Sequence, residues 1–218
     1  MKTKYYQFIT LVLLSLAYPA QSDDYNHVAT EVFWNQLYAG GGWSLYCGYH
    51  FDPEGNSPDG INIGIDHVYD TEQIMDYLLC DNRTQCYAQQ KDSFISMESD
   101  LHNLYPSWTD LTVYRSTRIF GEVEGEDWRF DNCDFEWKSG IVEPRPISRG
   151  NIARAIFYMH KKYNLPVAPD MIKKLRNWNA EDLPSEQERI RNDRIEKLQG
   201  QRNQYIDNPK LIDSIGIK

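Results

Sequence analysis

The chain has 218 residues, 41% of them hydrophobic and 13% aromatic, a composition that can fill a core and excludes intrinsic disorder. Its net charge is −9, but residues 23–144 hold 23 acidic against 6 basic residues, whereas residues 145–202 hold 13 basic against 7 acidic residues. An acidic chain is a poor default binder of polyanions, so a contact with such a partner is expected from the basic part. Solvated helix faces explain the same distribution, so composition alone does not decide.

The N-terminus has the pattern of an export signal. Two lysines precede a short apolar run at residues 8–17, and small residues flank a cleavage site that we place after Ser22. The run is too short to cross a bilayer of about 30 Å, and no later segment is apolar enough to do so. The sequence predicts a signal peptide at 1–22 and a periplasmic or secreted mature domain at 23–218 without a membrane span.

Four cysteines in an exported protein favour two disulfides. Cys80 and Cys86 would close a short loop, which leaves Cys47 and Cys133 for a long-range bond. The sequence permits three connectivities, and this one is preferred because it pairs near neighbours. A zinc site is disfavoured because no CxxC or HxxxH spacing accompanies the cysteines.

The first half of the chain shows short, mixed elements. Apolar spacing predicts a helix over 26–38, and residues 43–51 read as a strand. Isoleucines at 61, 63 and 65 alternate as in a half-buried strand. A short helix is expected over 97–104, ended by Pro106.

The predicted strand over 61–65 delivers Asp66 and His67 at its end. A lone histidine is more often a structural residue than a catalytic one, and an Asp–His pair alone is a weak signal. Other catalytic templates are absent from the sequence, including a P-loop, a G-x-S-x-G elbow and H-E-x-x-H.

The last third of the chain is predicted to be helical. Helices are expected over 149–163, 168–178 and 184–199, and the first has one apolar face at i, i+3, i+4 and i+7. Together with the strands, these helices predict an α+β fold: a mostly helical single domain with a small antiparallel sheet, tied by disulfides.

Several motifs appear in a fixed order along the mature chain. They are LYCG at 45–48, IDHV at 65–68, SDLHNLYP at 99–106, TVYRST at 112–117, EPRPISRGNIARAIFYM at 143–159 and LQGQRN at 198–203. In order and spacing they resemble the bacterial endonuclease I family, over nearly the whole mature chain. The helix motif RGNIARAIFYM and the LQGQRN ending are its most specific parts.

The resemblance implies a ββα-metal core, also called a His-Me finger, and sequence-nonspecific endonuclease activity on DNA, with RNA as a further candidate substrate. It implies that His67 is the base that activates water and that one divalent ion, expected to be Mg²⁺, stabilises the phosphate charge. Arg83 matches an arginine before a cysteine in some members and is a candidate phosphate contact. A monomer is expected.

The chain departs from the family pattern at both implied metal ligands. Asp66 stands where the family has Glu, and Thr112 stands where the family has Asn. Asp66 keeps the charge on a shorter side chain, and a hydroxyl is a weaker oxygen ligand than an amide carbonyl. The alternative hypothesis is therefore a family member that has lost hydrolysis and binds nucleic acid or a protein partner.

Candidate substrate-binding residues are Arg115, Arg149 and Arg202, since arginines that release counterions supply much of the affinity for a phosphate backbone. Arg154 was considered with them, but an arginine flanked by alanines in a helix can instead bind a buried carboxylate such as Glu143.

Overall fold

The computed structural model describes residues 24–58, 60–115 and 118–216. The signal peptide predicted at 1–22 lies outside these residues and stays a prediction. Within the described residues the chain is α+β and mostly helical, as predicted.

The first element is a helix of two kinds. The short helix α1 (Tyr25–His27) continues directly into a π-helical segment (Val28–Leu37). Val28, Phe33 and Leu37 of this segment are buried. The helix predicted over 26–38 is thus confirmed, with a wider turn than expected.

The strand predicted over 43–51 is only partly correct. Two short strands, β1 (Gly42–Trp43) and β2 (His50–Phe51), pair antiparallel and are separated by a turn. Gly48 adopts a left-handed φ of +71° in that turn, a conformation that glycine takes without steric cost. The turn prevents one continuous strand.

Strands β3 (Ile63–His67) and β4 (Leu104–Trp108) form an antiparallel pair. The first confirms the predicted strand, but the helix predicted over 97–104 is wrong, because the chain turns there and then extends into β4. Pro106 lies inside β4 rather than ending a helix. A two-stranded sheet has only edge strands, where a proline is tolerated.

Four helices surround this pair: α2 (Thr71–Leu78), α3 (Arg83–Gln89), α4 (Lys91–Glu98) and α5 (Thr109–Arg115). Because α5 directly follows β4, the elements β3, β4 and α5 form a ββα unit. The sequence analysis assigned no helix to α2, α3 or α5.

A third small sheet contains β5 (Ile119–Phe120), β6 (Phe135–Lys138) and β7 (Ile141–Pro144). Here β6 is antiparallel to β7, whereas β5 is parallel to it. The strand content is therefore spread over three small sheets.

The helical last third was predicted correctly. It contains α6 (Pro146–Tyr163), α7 (Pro169–Glu181), α8 (Glu186–Gln199), α9 (Gln204–Asp207) and a 3-10 turn (Pro209–Ser214). Most of α6 from Ser148 to Met159 is buried, so it is a central helix rather than a surface helix with one apolar face.

Two disulfides tie the domain. Cys47 bonds to Cys133 and Cys80 bonds to Cys86, which is the predicted connectivity. Among the helices of the described residues, none has the length and apolarity needed to cross a membrane.

Candidate active site

Asp66 and His67 lie at the end of β3, where the sequence analysis placed them. Tyr105 of β4 is opposite Asp66, and Leu104 is opposite His67. Successive side chains of a strand point to opposite faces, so the two neighbours have different surroundings. Both are buried.

A backbone carbonyl orients the imidazole of His67. Its Nε2 atom lies 2.8 Å from the carbonyl oxygen of Glu98. Because a carbonyl only accepts, Nε2 carries the hydrogen and Nδ1 keeps its lone pair in the neutral ring. Burial lowers the pKa of His67 to about 4. The ring is therefore neutral at neutral pH, with Nδ1 as its proton acceptor.

The ring of Tyr25 lies beside the imidazole of His67, and Arg83 lies over the ring of Tyr25. The ring centroids of Tyr25 and His67 are 5.4 Å apart, and the guanidinium of Arg83 lies 5.2 Å from the Tyr25 centroid. Arg83 is also ion-paired with the Glu98 carboxylate, to which the Tyr87 hydroxyl donates at 2.7 Å. Arg83 thus lies beside Tyr25, which itself contacts His67, and its role as a phosphate contact stays a prediction.

The shorter disulfide holds the segment that carries Arg83. Cys80 and Cys86 bracket it, and Arg83 is the first residue of α3. The side chain of Asn82 caps this helix by accepting from the Gln85 amide at 3.0 Å. The disulfide and the cap together fix the start of α3 and therefore the backbone position of Arg83.

Asp66 belongs to a buried group of charged and polar side chains. The Tyr46 hydroxyl donates to its Oδ2 atom at 2.6 Å, and Nε of Arg115 lies 3.6 Å from the same oxygen. Burial raises the pKa of Asp66, and the charge of Arg115 opposes that rise. Arg115 also pairs with Asp70 at 3.1 Å and donates to the carbonyl of Val68. It is therefore enclosed between two carboxylates.

The second predicted metal ligand, Thr112, lies on α5. Its hydroxyl donates to the carbonyl of Thr109 at 2.6 Å, which leaves the lone pairs of Oγ1 free to coordinate. Both side-chain partners of Asp66 contact Oδ2. Carboxylate and hydroxyl oxygens are hard donors, and Mg²⁺ commonly binds one or two carboxylates and keeps several waters. The donor chemistry therefore fits such an ion.

The predicted substrate-binding residue Arg149 lies away from His67, at the start of α6. It is ion-paired with Glu143, and Nε donates to the carbonyl of Pro144 at 3.0 Å. Its guanidinium lies 5.5 Å from the centroid of the Trp178 ring. A carboxylate therefore already balances its charge.

Arg202 is surrounded by acidic side chains. It contacts Asp193 at 2.7 Å, Glu196 at 2.8 Å and Asp207 at 2.6 Å. These hydrogen bonds raise the pKa of Arg202, so its charge is permanent but compensated.

Arg154 is fully buried and pairs with Glu188 of α8. The structural interpretation of Arg154 is therefore confirmed, but its partner is Glu188 and not Glu143.

The sequence analysis did not single out Glu98 or Tyr46, which orient His67 and Asp66. Weak signals existed: Glu98 directly precedes SDLHNLYP, and Tyr46 lies within LYCG. Their roles depend on strand pairing and on contacts 20 to 31 residues apart in sequence, which motif spacing does not give.

An acidic cluster also escaped the sequence analysis. Glu126, Asp134 and Glu136 have oxygens within 4.8 Å of one another, the one group of three potential ligands of its kind in the described part of the chain. Burial raises the pKa of Asp134 and of Glu136. No recognised motif spans these positions.

Comparisons with known proteins show the family of the chain. A family model described as Endonuclease I matches residues 17–210. The chain is 28% identical to an extracellular deoxyribonuclease of Aeromonas hydrophila, over 79% of this chain and 85% of that protein. It is 31% identical to an endonuclease-1 of Buchnera aphidicola, over 75% of this chain and 66% of that protein. It is 30% identical to a periplasmic deoxyribonuclease of Aeromonas hydrophila, over 74% of this chain and 69% of that protein.

The ββα unit, the two disulfides and a match over most of the sequence define the class: the chain belongs to the endonuclease I family. It is an endonuclease, periplasmic or secreted.

Proposed function

We propose that this endonuclease is a monomer that hydrolyses phosphodiester bonds of DNA without sequence preference, with RNA as a further substrate. In this proposal His67 activates water and a divalent ion, Mg²⁺, assists at Asp66 and Thr112. The names of the relatives support DNA as the substrate.

The observation that carries the proposal is the hydrogen bond between His67 Nε2 and the Glu98 carbonyl. It fixes the tautomer in which Nδ1 accepts a proton, and a general base needs that free lone pair. A water held at Nδ1 would lose its proton to the ring as it attacks phosphorus. A nearby phosphate would also stabilise the resulting imidazolium, since an opposite charge favours the protonated form.

Asp66 and Thr112 are the side chains that would hold the ion. When bound there, a divalent cation supplies charge neutralisation at the phosphate and at the departing 3′ oxygen. Tyr46 and Arg115 already hold the side chain of Asp66 in place. The carboxylate would therefore be preorganised for the ion.

Arg83 is the candidate phosphate contact that we assign beside the base. Its side chain is half-exposed while Glu98 is fully buried, so part of its guanidinium faces solvent. It can then bind a phosphate oxygen without leaving Glu98, because guanidinium has five N–H donors. The Tyr25 ring lies beside the imidazole, so it is a neighbour of any phosphate that approaches His67.

The test compares two buried histidines. Oxidised mature protein is incubated with plasmid DNA and with RNA, in Mg²⁺, Mn²⁺ or EDTA. His67→Gln can still donate to Glu98 but has no basic nitrogen, so we expect cleavage to fall by about 10²- to 10⁴-fold. EDTA is expected to abolish cleavage, and added Mg²⁺ to restore it.

The matched control is His102→Gln. His102 is also buried, its Nε2 lies 3.0 Å from the Gln201 carbonyl, and burial lowers its pKa to about 4 as well. His102 lies in the turn before β4 and not at the end of β3. Its variant, once shown to be folded, should therefore cleave at nearly the wild-type rate. Equal rates for His67→Gln and wild type would contradict the proposal, and so would cleavage that survives EDTA.

A further inference from the structure

A groove of about 820 Å³ lies between the end of the π-helical segment, the β1–β2 turn and the N-terminal ends of α6 and α8. Its volume is within the range of about 300–1,000 Å³ that is usual for ligand sites. Three arginines line it: Arg145, Arg191 and Arg194. We call this feature the arginine groove.

The three arginines are held by neutral acceptors. Arg145 donates to the carbonyls of Leu45 at 3.1 Å and Ser44 at 3.3 Å, and Arg194 donates to the carbonyl of Leu37 at 3.2 Å. No carboxylate of the described residues lies within ion-pair distance of either guanidinium. Neither guanidinium is therefore held in an ion pair, and Asp134 and Asp182 act on Arg145 only from a longer distance.

Gly48 makes the position of Arg145 possible. A side chain at Gly48 would place its Cβ 1.9 Å from Nη1 of Arg145, which is a steric clash because non-bonded atoms cannot approach so closely. The guanidinium therefore lies directly on the glycine backbone. The turn that interrupts the predicted strand therefore makes room for the guanidinium of Arg145 in the groove.

Arg191 shows an unmet hydrogen-bonding need. It is buried, stacks 4.0 Å from the Tyr105 centroid, and donates to the Tyr38 hydroxyl and to the carbonyls of Leu101 and Leu104. Its Nη1 atom has no hydrogen-bond partner among the described residues. A buried charged donor without a partner is costly. Because the atom itself is buried, an anion in the groove would offset that cost through its charge and not by direct contact.

The acidic residues of the groove do not cancel these charges. Glu188 lines it but is already paired with the buried Arg154. That leaves Asp182, whose carboxylate accepts from the Gly150 amide at 2.8 Å. Three arginines thus face one carboxylate that has no cationic ion-pair partner in the described chain.

An exposed aromatic ring completes the lining. Trp43 is 62% exposed and contacts His50 edge-on, with 4.9 Å between the ring centroids. Exposed aromatic rings beside a basic groove are the usual platform for nucleobases of a single strand, because every base has a stacking face.

The groove and the candidate base lie at opposite ends of one element. Tyr25, at the start of α1, contacts His67, whereas Leu37, at the end of the π-helical segment, lines the groove. Tyr25 and Leu37 are twelve positions apart along this continuous helical element. The groove is therefore outside the cleavage centre but within the reach of a few nucleotides.

We propose that the arginine groove binds the sugar–phosphate backbone of a single nucleic-acid strand, with an unpaired base stacked on Trp43. The inference rests on the proposed function, because it assigns the groove to the strand that is cut at His67. Phosphates supply the negative charge that Arg191 and Arg194 do not receive from an ion pair within the described chain, and the groove adds affinity without reading sequence.

The test measures binding without cleavage. A fluorescein-labelled 20-nucleotide single-stranded DNA is titrated with oxidised mature protein in EDTA, at several salt concentrations, and anisotropy gives Kd. Arg194→Gln is expected to weaken binding at least about fivefold at low salt, and to lower the slope of log K against log salt by about 0.7, one single-strand phosphate contact.

The matched control is Arg189→Gln on the same helix, α8. Arg189 is exposed and does not line the groove, so its loss removes the same charge from a nearby place. Equal Kd and equal salt slope for the two variants would overturn the proposal. Trp43→Ala should weaken binding to the single strand, and an unchanged Kd would remove the stacking part.

Failure here and failure of the proposed function give different results. Binding in EDTA does not depend on hydrolysis. If the wild type cuts nothing with any metal but Arg194→Gln still binds the strand more weakly than Arg189→Gln, the groove stands and the catalytic proposal falls. If the wild type cuts DNA but the variants bind alike, only the groove proposal falls.

Discussion

The end of β3 and the arginine groove each contain a buried arginine, but the partners of the two arginines differ. At β3, Arg115 lies between the carboxylates of Asp66 and Asp70. In the groove, Arg191 is held by backbone carbonyls and a tyrosine hydroxyl. The first arrangement cancels charge locally, whereas the second fixes the side chain and leaves its charge unbalanced.

The difference teaches that the partner, and not the presence of an arginine, decides what the arginine can attract. A carboxylate partner uses the charge of an arginine inside the protein. A carbonyl partner fixes the same guanidinium while its full charge remains available to an anion. Arg149 and Arg202 follow the first pattern, and Arg145 and Arg194 follow the second.

The largest expected effect is at Arg115. Arg115→Met leaves the buried carboxylate of Asp66 without its cation, so the free energy of unfolding should fall by about 3–5 kcal/mol. Urea denaturation measures the change. The double variant Asp66→Asn with Arg115→Met removes both charges and should lose less than the single variant. If the double variant is less stable than Arg115→Met alone, Arg115 does not compensate the charge of the Asp66 carboxylate.

A smaller loss is expected at Arg191. Arg191→Met leaves the buried carbonyls of Leu101 and Leu104 without donors, which should cost about 2 kcal/mol of unfolding free energy. The same urea assay applies, with Arg189→Met as an exposed control that should change stability by less than about 0.5 kcal/mol. Arg191→Met as stable as wild type would mean that the groove arginine is not held as described.

The smallest effect is expected at Arg202, although it has three acidic partners. Its network is open to solvent, so Arg202→Ala should cost less than about 1 kcal/mol, and less still at high salt. Thermal unfolding in low and high salt measures this. A loss as large as that of Arg115→Met would mean that the number of carboxylates, and not burial, sets the energetic difference between the paired arginines.

Local patterns were enough to predict several parts of the fold. The apolar spacing of α6 and the alternation before Asp66 depend on neighbours a few residues apart, and both elements were found. Residues 97–104 were misassigned because helix α4 already ends at Glu98, and the chain then turns into β4, whose partner β3 lies about 40 residues away. A sequence window around Pro106 contains no trace of that partner.

The candidate site was predictable only in part, for a similar reason. The position of His67 followed from a strand pattern and a family resemblance. The balance of charge at each arginine depends on distant partners: Arg115 meets Asp66, 49 residues away, and Arg154 meets Glu188, 34 residues away. Arg191 was overlooked because its acceptors are backbone carbonyls, which no side-chain motif marks.

The Cys80–Cys86 disulfide also has a consequence for when the enzyme matures. The bond encloses the start of α3, from which Arg83 and Tyr87 reach Glu98, the residue whose carbonyl orients His67. A reducing cytosol keeps such thiols apart, and an oxidising compartment joins them. The proposed site would therefore gain this covalent support only after export, in an oxidising compartment.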